Sequence, residues 1–167
     1  MYVVLLLVIN AVFTMAVMPV RVSGASMMTS LHDGDLALMS RLNIDDIKRF
    51  DVVVIDSSVL QEKIIKRVIG LPGETIEYRA DVLYVNGVAT EETFIDREAA
   101  KTMMAEEGAT LFTADFTYTV PQGTYFVLGD NRLHSTDSRT LGAISPDNIK
   151  ARTGFILYPF SRTGEME

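Results

Sequence analysis

The chain has 167 residues, about the length of one domain, and 48% of them are hydrophobic, which suffices for a sizeable core and a membrane segment. Its net charge of −7 argues against a nucleic-acid partner, because phosphate binding needs clustered lysine and arginine. The sequence has no cysteine, which excludes thiolate metal sites, disulfides and a cysteine nucleophile, and its two histidines are too few for a His-rich metal site. We therefore expect no metal site built from cysteine or histidine.

An uncharged run opens the chain. Residues 2–20 contain no charged side chain, and this length is close to the ~20 residues that a membrane-spanning helix requires. We predict a transmembrane anchor over residues 1–20, with Pro19 and Arg21 marking its end. The alternative is a cleavable signal peptide, but no charged segment precedes the run, and the run is long for that role.

A serine follows this run closely. Residues 22–28 read VSGASMM, in which Ser26 lies among small residues that leave room for a substrate backbone. A serine hydroxyl is a poor nucleophile until a neighbouring base takes its proton. The chain from Arg21 to Ser26 extends at most about 16 Å, so we expect Ser26 to act near the membrane surface.

Lys66 is the candidate base. Residues 63–69 are predicted to form a strand, in which period-2 alternation gives Lys66 the same face as Ile64 and Val68, while Arg67 points the other way. Burial among apolar groups lowers a lysine pKa from about 10.4 towards the range that a general base needs. From spacing alone, a surface lysine on an edge strand is the commoner explanation, and the rest of the chain reverses that preference.

The remaining elements predict a mainly β fold of coiled antiparallel sheets. Strands are expected at residues 36–39, 51–56, 75–78, 82–85 and 153–158, and residues 117–128 resume the sheet with a break at 121–123. Residues 90–116 depart from this pattern. A helix from Asp96 through Glu107, closed by Gly108, indicates a small α-containing insertion packed on the sheet. We expect a catalytic domain over residues 21–160 and a polar, frayed tail over residues 161–167.

A polar loop precedes the last strand. Residues 129–142 read GDNRLHSTDSRTLG. Fourteen residues with this many charges and hydroxyls rarely serve packing alone, so we expect this loop to be functional.

Four stretches together resemble the bacterial type I signal peptidases, the membrane-anchored serine–lysine proteases that remove signal peptides from exported proteins. In the family's order they are the N-terminal run, the motif around Ser26 and Met27, the sequence KRVIGLPGE at residues 66–74, and the loop at residues 129–142. The resemblance extends to about Phe160. It implies a β-sheet catalytic domain of signal peptidase type, tethered by one transmembrane helix.

The resemblance implies a role for each matching residue. Ser26 corresponds to the acylating nucleophile and Lys66 to the general base. Ser135 corresponds to a second serine that holds the lysine amine by a hydrogen bond. Asp137 and Arg139 correspond to an ion pair that braces the loop, for which an ordinary surface salt bridge is the alternative.

Some positions depart from the family pattern. Gly24 stands where some relatives add a serine hydroxyl to the oxyanion site, so beside the Ser26 N–H the second donor must be backbone or water. Thr29 and Ser30 stand where the family usually has Pro-Thr, and Phe50 stands where a glycine is common. The changes at Thr29, Ser30 and Phe50 remove no catalytic group, but Thr29 could loosen the turn that aims Ser26.

The resemblance also implies partners and a location. The substrates are exported preproteins with small residues at the first and third positions before the cut. Phospholipid is the second partner, and nucleic acid is not one. The resemblance implies no metal or organic cofactor. The expected location is the bacterial cell membrane, with a single-pass anchor and an extracytoplasmic catalytic domain.

Three alternatives are weighed against this hypothesis. Self-cleaving SOS repressors share the core fold and resemble residues 21–27 and 33–36, but they lack a membrane anchor and the loop at 129–142. A Ser-His-Asp hydrolase would use His134 or His32 as its base. A non-catalytic membrane assembly factor would have lost the serine–lysine pair, which this chain keeps.

Overall fold

The computed structural model describes residues 2–166 and consists mainly of antiparallel strands. Its α-helices are α1 (Tyr2–Ala16), α2 (Arg97–Glu107) and α3 (Ser138–Leu141), and short 3₁₀ helices cover Pro146–Asn148 and Phe160–Arg162. The strands are β1 (Val17–Arg21), β2 (Leu36–Ser40), β3 (Val52–Ser57), β4 (Glu62–Gly70), β5 (Thr75–Arg79), β6 (Val82–Val85), β7 (Val88–Thr90), β8 (Phe116–Thr119), β9 (Phe126–Leu128), β10 (Ile149–Tyr158) and β11 (Gly164–Glu165).

The strands form two sheets. The larger sheet has the order β1-β2-β10-β3-β4-β9, with β11 paired to β10, and the smaller sheet has the order β7-β6-β5-β8. All strand pairings within residues 2–166 are antiparallel. The predicted mainly β, antiparallel fold is thus confirmed.

Strand β3 explains how the larger sheet is buried. Val52 and Val54 pack into one apolar cluster, whereas Val53 and Ile55 pack into another. The alternation of side chains puts these clusters on opposite faces of the sheet, so both faces are covered. This double burial is why the strand reads as a continuous apolar run instead of an alternating one.

The smaller sheet packs on one end of the larger one. A shared core cluster contains Ile69 and Phe126 from the larger sheet and Ile76 and Tyr78 from the smaller. Helix α2 begins and ends as predicted: the Asp96 side chain accepts the N–H groups of residues 98 and 99, and Gly108 closes the helix with φ +65°. The insertion packs on the polar loop through a cluster that includes Leu133.

The N-terminal run differs from its prediction. Helix α1 ends at Ala16, and residues 17–20 belong to β1, which pairs with β2. Pro19 has no N–H for a helix, but it suits β1, because β1 lies at the edge of its sheet. The prediction of one continuous helix to residue 20 was therefore wrong. Among residues 2–166, no helix has both the length and the apolar character needed to cross a membrane.

The C-terminal residues also differ from the frayed tail that the sequence suggests. β11 pairs with β10, Met166 is buried in the core, and Arg162 donates to Asp35 Oδ2 at 2.8 Å and to the Ser30 carbonyl at 2.7 Å. Asp35 is buried, so this ion pair ties the tail to the segment that carries Ser26. A polar composition conceals the two contacts of Arg162, because their partners lie 127 and 132 positions away in the chain.

Candidate active site

Ser26 and Lys66 meet in the structure. The Lys66 amine Nζ lies 2.8 Å from Ser26 Oγ and 2.9 Å from the Ile65 carbonyl oxygen. Lys66 is only 3% exposed, whereas Ser26 is half-buried. The contact joins strand β4 to the loop between β1 and β2, 40 residues apart along the chain. A hydroxyl and a buried amine at hydrogen-bond distance have the geometry that a candidate nucleophile and its base require.

The environment of Lys66 favours its neutral form. Burial lowers the pKa of Lys66 below its usual value, and this effect outweighs the nearby carboxylates of Asp137, Asp130 and Glu62, which raise it. The burial predicted from the alternation of β4 is confirmed. An amine of lowered pKa accepts a proton closer to neutral pH than an exposed lysine does.

Backbone contacts hold the loop that carries Ser26. The Gly24 N–H donates to Asp33 Oδ1 at 2.8 Å, which closes the loop on itself. Asn131 holds the loop from the other side: its N–H donates to the Ser26 carbonyl at 3.0 Å, and its side-chain amide donates to the Ala25 carbonyl at 3.2 Å. The polar loop at residues 129–142 therefore packs directly on the serine motif.

Ser135 lies beside this contact but does not bond to Lys66. Its Oγ is buried and has no hydrogen-bond partner among the described residues. A Cβ built on Gly129 would overlap Ser135 Oγ and would lie 2.5 Å from the Ser26 carbonyl oxygen. Residue 129 must therefore be glycine for the two serines to approach this closely. The hydrogen bond from Ser135 to the lysine amine is absent in this arrangement.

Asp137 and Arg139 form a two-pronged ion pair. Arg139 Nε donates to Oδ1 at 2.9 Å and Nη2 donates to Oδ2 at 2.8 Å, and Asp137 is fully buried. Asp137 also accepts the Gly129 N–H at 3.1 Å and caps α3. Burial alone would raise the pKa of Asp137, but the hydrogen bond and charge of Arg139 outweigh it and hold that pKa below its usual value. The pair is thus a buried brace of the loop and differs from an ordinary surface salt bridge.

A second buried ion pair was missed in the sequence. Arg67 is fully buried and binds Asp130 with both its Nε, at 2.9 Å, and its Nη2, at 2.8 Å. The signal that could have revealed it is the position of Arg67 between Ile65 and Ile69 on one face of an otherwise apolar strand. A charged side chain on such a face requires a buried partner.

A cleft of about 570 Å³ opens beside Ser26 and Lys66. Its walls are residues 18–27 on one side and 62–66 on the other, with His134 and Thr136 at the end. Within the described chain, β1 pairs only with β2, and residues 62–66 of β4 pair only with β3. Both walls therefore present unpaired strand edges, which suit an extended peptide.

Neither histidine forms a hydrogen bond with Ser26 in the described part of the chain. His134 is exposed, and its Nε2 lies 3.1 Å from Glu107 Oε1 at the end of α2. Neither histidine is bonded to a serine hydroxyl in the described part of the chain. Within residues 2–166, no three His, Asp or Glu side chains converge as metal ligands.

Comparison with known proteins gives one consistent result. The family described as "Signal peptidase, peptidase S26" matches residues 1–158. Signal peptidase I T of Bacillus subtilis is 39% identical over 147 residues, covering 86% of this chain and 75% of that protein. Signal peptidase I of Streptococcus pneumoniae is 37% identical over 174 residues, covering 87% and 84%. A crystal structure of a signal peptidase I from Enterococcus faecalis, 40% identical, superposes with a TM-score of 0.57 and covers 64% of this chain and 95% of that one.

The contact at Gly129 generates a stability prediction. Gly129→Ala forces a methyl group between Ser135 and the Ser26 carbonyl, and this overpacking is expected to lower the free energy of unfolding by about 1–3 kcal/mol. Gly164→Ala is the matched control, because nothing lies within 4 Å of its Cβ, and it should change that free energy by less than about 0.5 kcal/mol. Urea denaturation measures both variants, and equal stability of the two would disprove the close approach.

Proposed function

Because the chain belongs to the signal peptidase family, peptidase S26, we propose that it is a serine endopeptidase that removes N-terminal signal peptides from exported preproteins, with Ser26 as nucleophile and Lys66 as general base. The family match supports the activity. The observation that carries the residue assignment is the 2.8 Å contact between Lys66 Nζ and Ser26 Oγ, made by an amine that is almost fully buried.

The proposed reaction is acyl transfer to Ser26. The neutral Lys66 amine takes the hydroxyl proton as Ser26 Oγ attacks the carbonyl carbon of the scissile peptide bond. The resulting ammonium returns the proton to the leaving amine, which leaves an acyl-enzyme ester on Ser26. Lys66 then deprotonates a water that hydrolyses this ester, and both side chains return to their starting states.

The oxyanion of the tetrahedral intermediate needs hydrogen-bond donors. The backbone N–H of Ser26 is the first candidate. The N–H of Gly24 already donates to Asp33 Oδ1 at 2.8 Å, and Gly24 brings no side-chain donor. We therefore assign the second donor to another backbone group or to water, and give Gly24 the role of shaping the nucleophile loop.

Ser135, Asp137 and Arg139 are proposed to support the base. The buried hydroxyl of Ser135 has no hydrogen-bond partner among the described residues, and we assign it the Lys66 amine as its partner during the reaction. Asp137 and Arg139 hold the loop that carries Ser135, because the buried carboxylate accepts from both Arg139 and the Gly129 N–H. Their contribution is geometric, and neither takes a proton in the reaction.

The substrate is proposed to bind as an extended strand. The cleft has unpaired strand edges on both walls, and a peptide lying between them would form backbone hydrogen bonds to either wall. In a strand, alternate side chains point the same way. The residues at the first and third positions before the cut would thus face the same wall, where small side chains are expected by analogy with the family.

Membrane attachment is proposed to involve α1. Its large apolar side chains at residues 2–7, 12, 13 and 15 are between 51% and 78% exposed, and a helix surface that is mostly apolar is stable only when lipid or protein covers it. We assign this cover to the phospholipid of the bacterial cell membrane, with the catalytic domain on the extracytoplasmic side where preproteins emerge. Strand β1 follows α1 directly, and Ser26 lies ten residues after Ala16, the last residue of the helix, which keeps Ser26 near that surface.

Cleavage of an added preprotein tests the function. The purified full chain, in detergent with phospholipid, should cut after a small-x-small site, as read by N-terminal sequencing of the product. Ser26→Ala and Lys66→Ala should each lower the rate by about 10⁴- to 10⁶-fold, and the double variant should lose little more, because the two groups act as one unit. His134→Ala should retain cleavage.

Other outcomes distinguish the alternatives. Activity that survives in Lys66→Ala but disappears in His134→Ala would establish a histidine base. Cleavage of the chain itself without any cut in the preprotein would favour the SOS-repressor class. A wild-type chain that binds preproteins but cuts neither the preprotein nor itself would be a non-catalytic assembly factor.

The pH dependence tests Lys66 as the base. Activity should rise with pH as the amine loses its proton, and because burial lowers the pKa of Lys66, this rise should lie below the usual lysine range. Glu62→Gln removes a negative charge that raises the pKa of Lys66, so the rise should move to lower pH in that variant. Full activity of the wild type well below neutral pH, or a shift of Glu62→Gln to higher pH, would contradict the assignment.

Vesicle flotation tests the role of α1. The full chain should float with vesicles of phosphatidylethanolamine and phosphatidylglycerol, and the double variant Leu6→Glu/Phe13→Glu should remain in the dense fraction, because charges in α1 oppose burial in lipid. The control Val59→Glu alters a side chain that is 71% exposed on the catalytic domain and should float normally. Flotation of the α1 variant would assign membrane binding to another surface.

A further inference from the structure

A buried arginine links the insertion to the polar loop. Arg132 is almost inaccessible to solvent, and its guanidinium donates to the Gly129 carbonyl with Nε at 2.9 Å, to Tyr78 Oη with Nη1 at 2.8 Å, and to the Glu92 carboxylate with Nη2. Tyr78 in turn donates to the same oxygen of Glu92 at 2.6 Å. One end of the guanidinium thus holds Gly129, and the other end is anchored by Glu92, a buried residue of the insertion.

A second arginine makes a parallel connection. Arg67 follows the candidate base directly in β4 and holds Asp130 through two hydrogen bonds. The ring of Phe94 stacks on the Arg67 guanidinium, with its centroid 4.0 Å from Cζ. Glu92 and Phe94 lie only two residues apart, so one short segment, residues 92–94, contacts both arginines.

The two residues held in this way are close to the reacting atoms. Gly129 lies against the Ser26 carbonyl and the Ser135 hydroxyl, and its N–H donates to Asp137. Asn131, which follows Asp130, donates to the carbonyls of Ala25 and Ser26. A displacement of residues 129–131 would therefore move the support of the nucleophile and of its base together.

We propose that residues 92–94, at the start of the insertion, are a positioning element of the active site: Glu92 and Phe94 back the two arginines that hold Gly129 and Asp130 against the Ser26 motif. The inference rests on the proposed function and adds residues that do not touch the substrate. The insertion is thus more than a surface addition to the sheet, because it supplies the outer half of the support for the polar loop.

The charges involved explain why the support is rigid. Arg132 and Glu92 are both buried, and an unpaired charge at either site would be strongly destabilising. The guanidinium is planar, with donors in fixed directions, so anchoring one end with Glu92 and Tyr78 fixes the direction of the Nε–H that holds Gly129. A lysine or a neutral side chain at residue 132 would not transmit this geometry.

Steady-state kinetics on an exported preprotein test the proposal. Glu92→Gln keeps an acceptor oxygen but removes the charge, and should lower kcat about 10-fold with KM within about twofold, because small displacements of catalytic groups have large effects. Glu92→Met removes the acceptor and should lower kcat further, and Phe94→Leu should lower it about threefold. In Glu92→Gln the rise of activity with pH should move to higher pH, since a loosened loop admits water to Lys66.

A matched control separates positioning from stability. Val85→Ala truncates a buried residue of the smaller sheet that makes none of the hydrogen bonds to either arginine, so it should lower Tm while leaving kcat unchanged at a temperature well below Tm. If Glu92→Gln and Phe94→Leu fold and show the kcat and pH profile of the wild type, the proposal is wrong, whereas a wild type without activity would contradict the proposed function.

Amide hydrogen exchange on the same variants tests, independently of activity, whether residues 92–94 position residues 129–131. Amide exchange at Gly129 and Asn131 should be faster in Glu92→Gln than in the wild type, because this variant weakens the contacts that hold these residues. In Val85→Ala, exchange at the two amides should be unchanged. Glu92→Met is the more severe variant, and if it does not fold, Glu92→Gln alone carries the test. Unchanged exchange at both amides in Glu92→Gln would overturn the inference.

Discussion

The site depends on an amine that is held without its usual shell of water. Lys66 Nζ keeps two hydrogen-bond contacts, with Ser26 Oγ and the Ile65 carbonyl, and the rest of the side chain is enclosed by protein. Such burial is unfavourable for the ammonium form, so the fold must provide enough packing around β4 to keep water out. The double-sided cover of the larger sheet provides this packing, since apolar clusters lie on both of its faces.

The polar loop resolves a conflict that this burial creates. The serine and the lysine need polar groups around them, yet those groups must not bring in water or leave the amine charged. Each buried carboxylate of the loop is therefore bound to an arginine: Asp130 to Arg67 and Asp137 to Arg139. The paired charges screen one another, so the carboxylates raise the pKa of Lys66 by less than burial lowers it.

The two sheets contribute different parts of the candidate site. The larger one supplies the loop with the candidate nucleophile, the candidate base and both walls of the cleft, whereas the smaller one supplies Tyr78 and, through the insertion, Glu92 and Phe94. The candidate catalytic groups thus lie at a junction where strands, loop and insertion converge. A rigid junction of this kind suits chemistry that depends on small distances between a hydroxyl, an amine and a carbonyl.

The sequence by itself determined the mainly β fold and the limits of α2, because these rest on local signals: alternation, caps and turns. Motifs that resemble a known family predicted Ser26 and Lys66 as the reacting residues, and the polar composition of residues 129–142 predicted a functional loop; both stay predictions. The sequence did not determine the limit of the N-terminal helix, since Val17 to Val20 read as an apolar run until β2 offers them a pairing partner. It also concealed Arg162, Arg132 and the Arg67–Asp130 pair, whose partners lie far away in the chain. Only the tertiary structure decided these features, because the free energy of burying a charge or extending a strand depends on which distant residue arrives beside it.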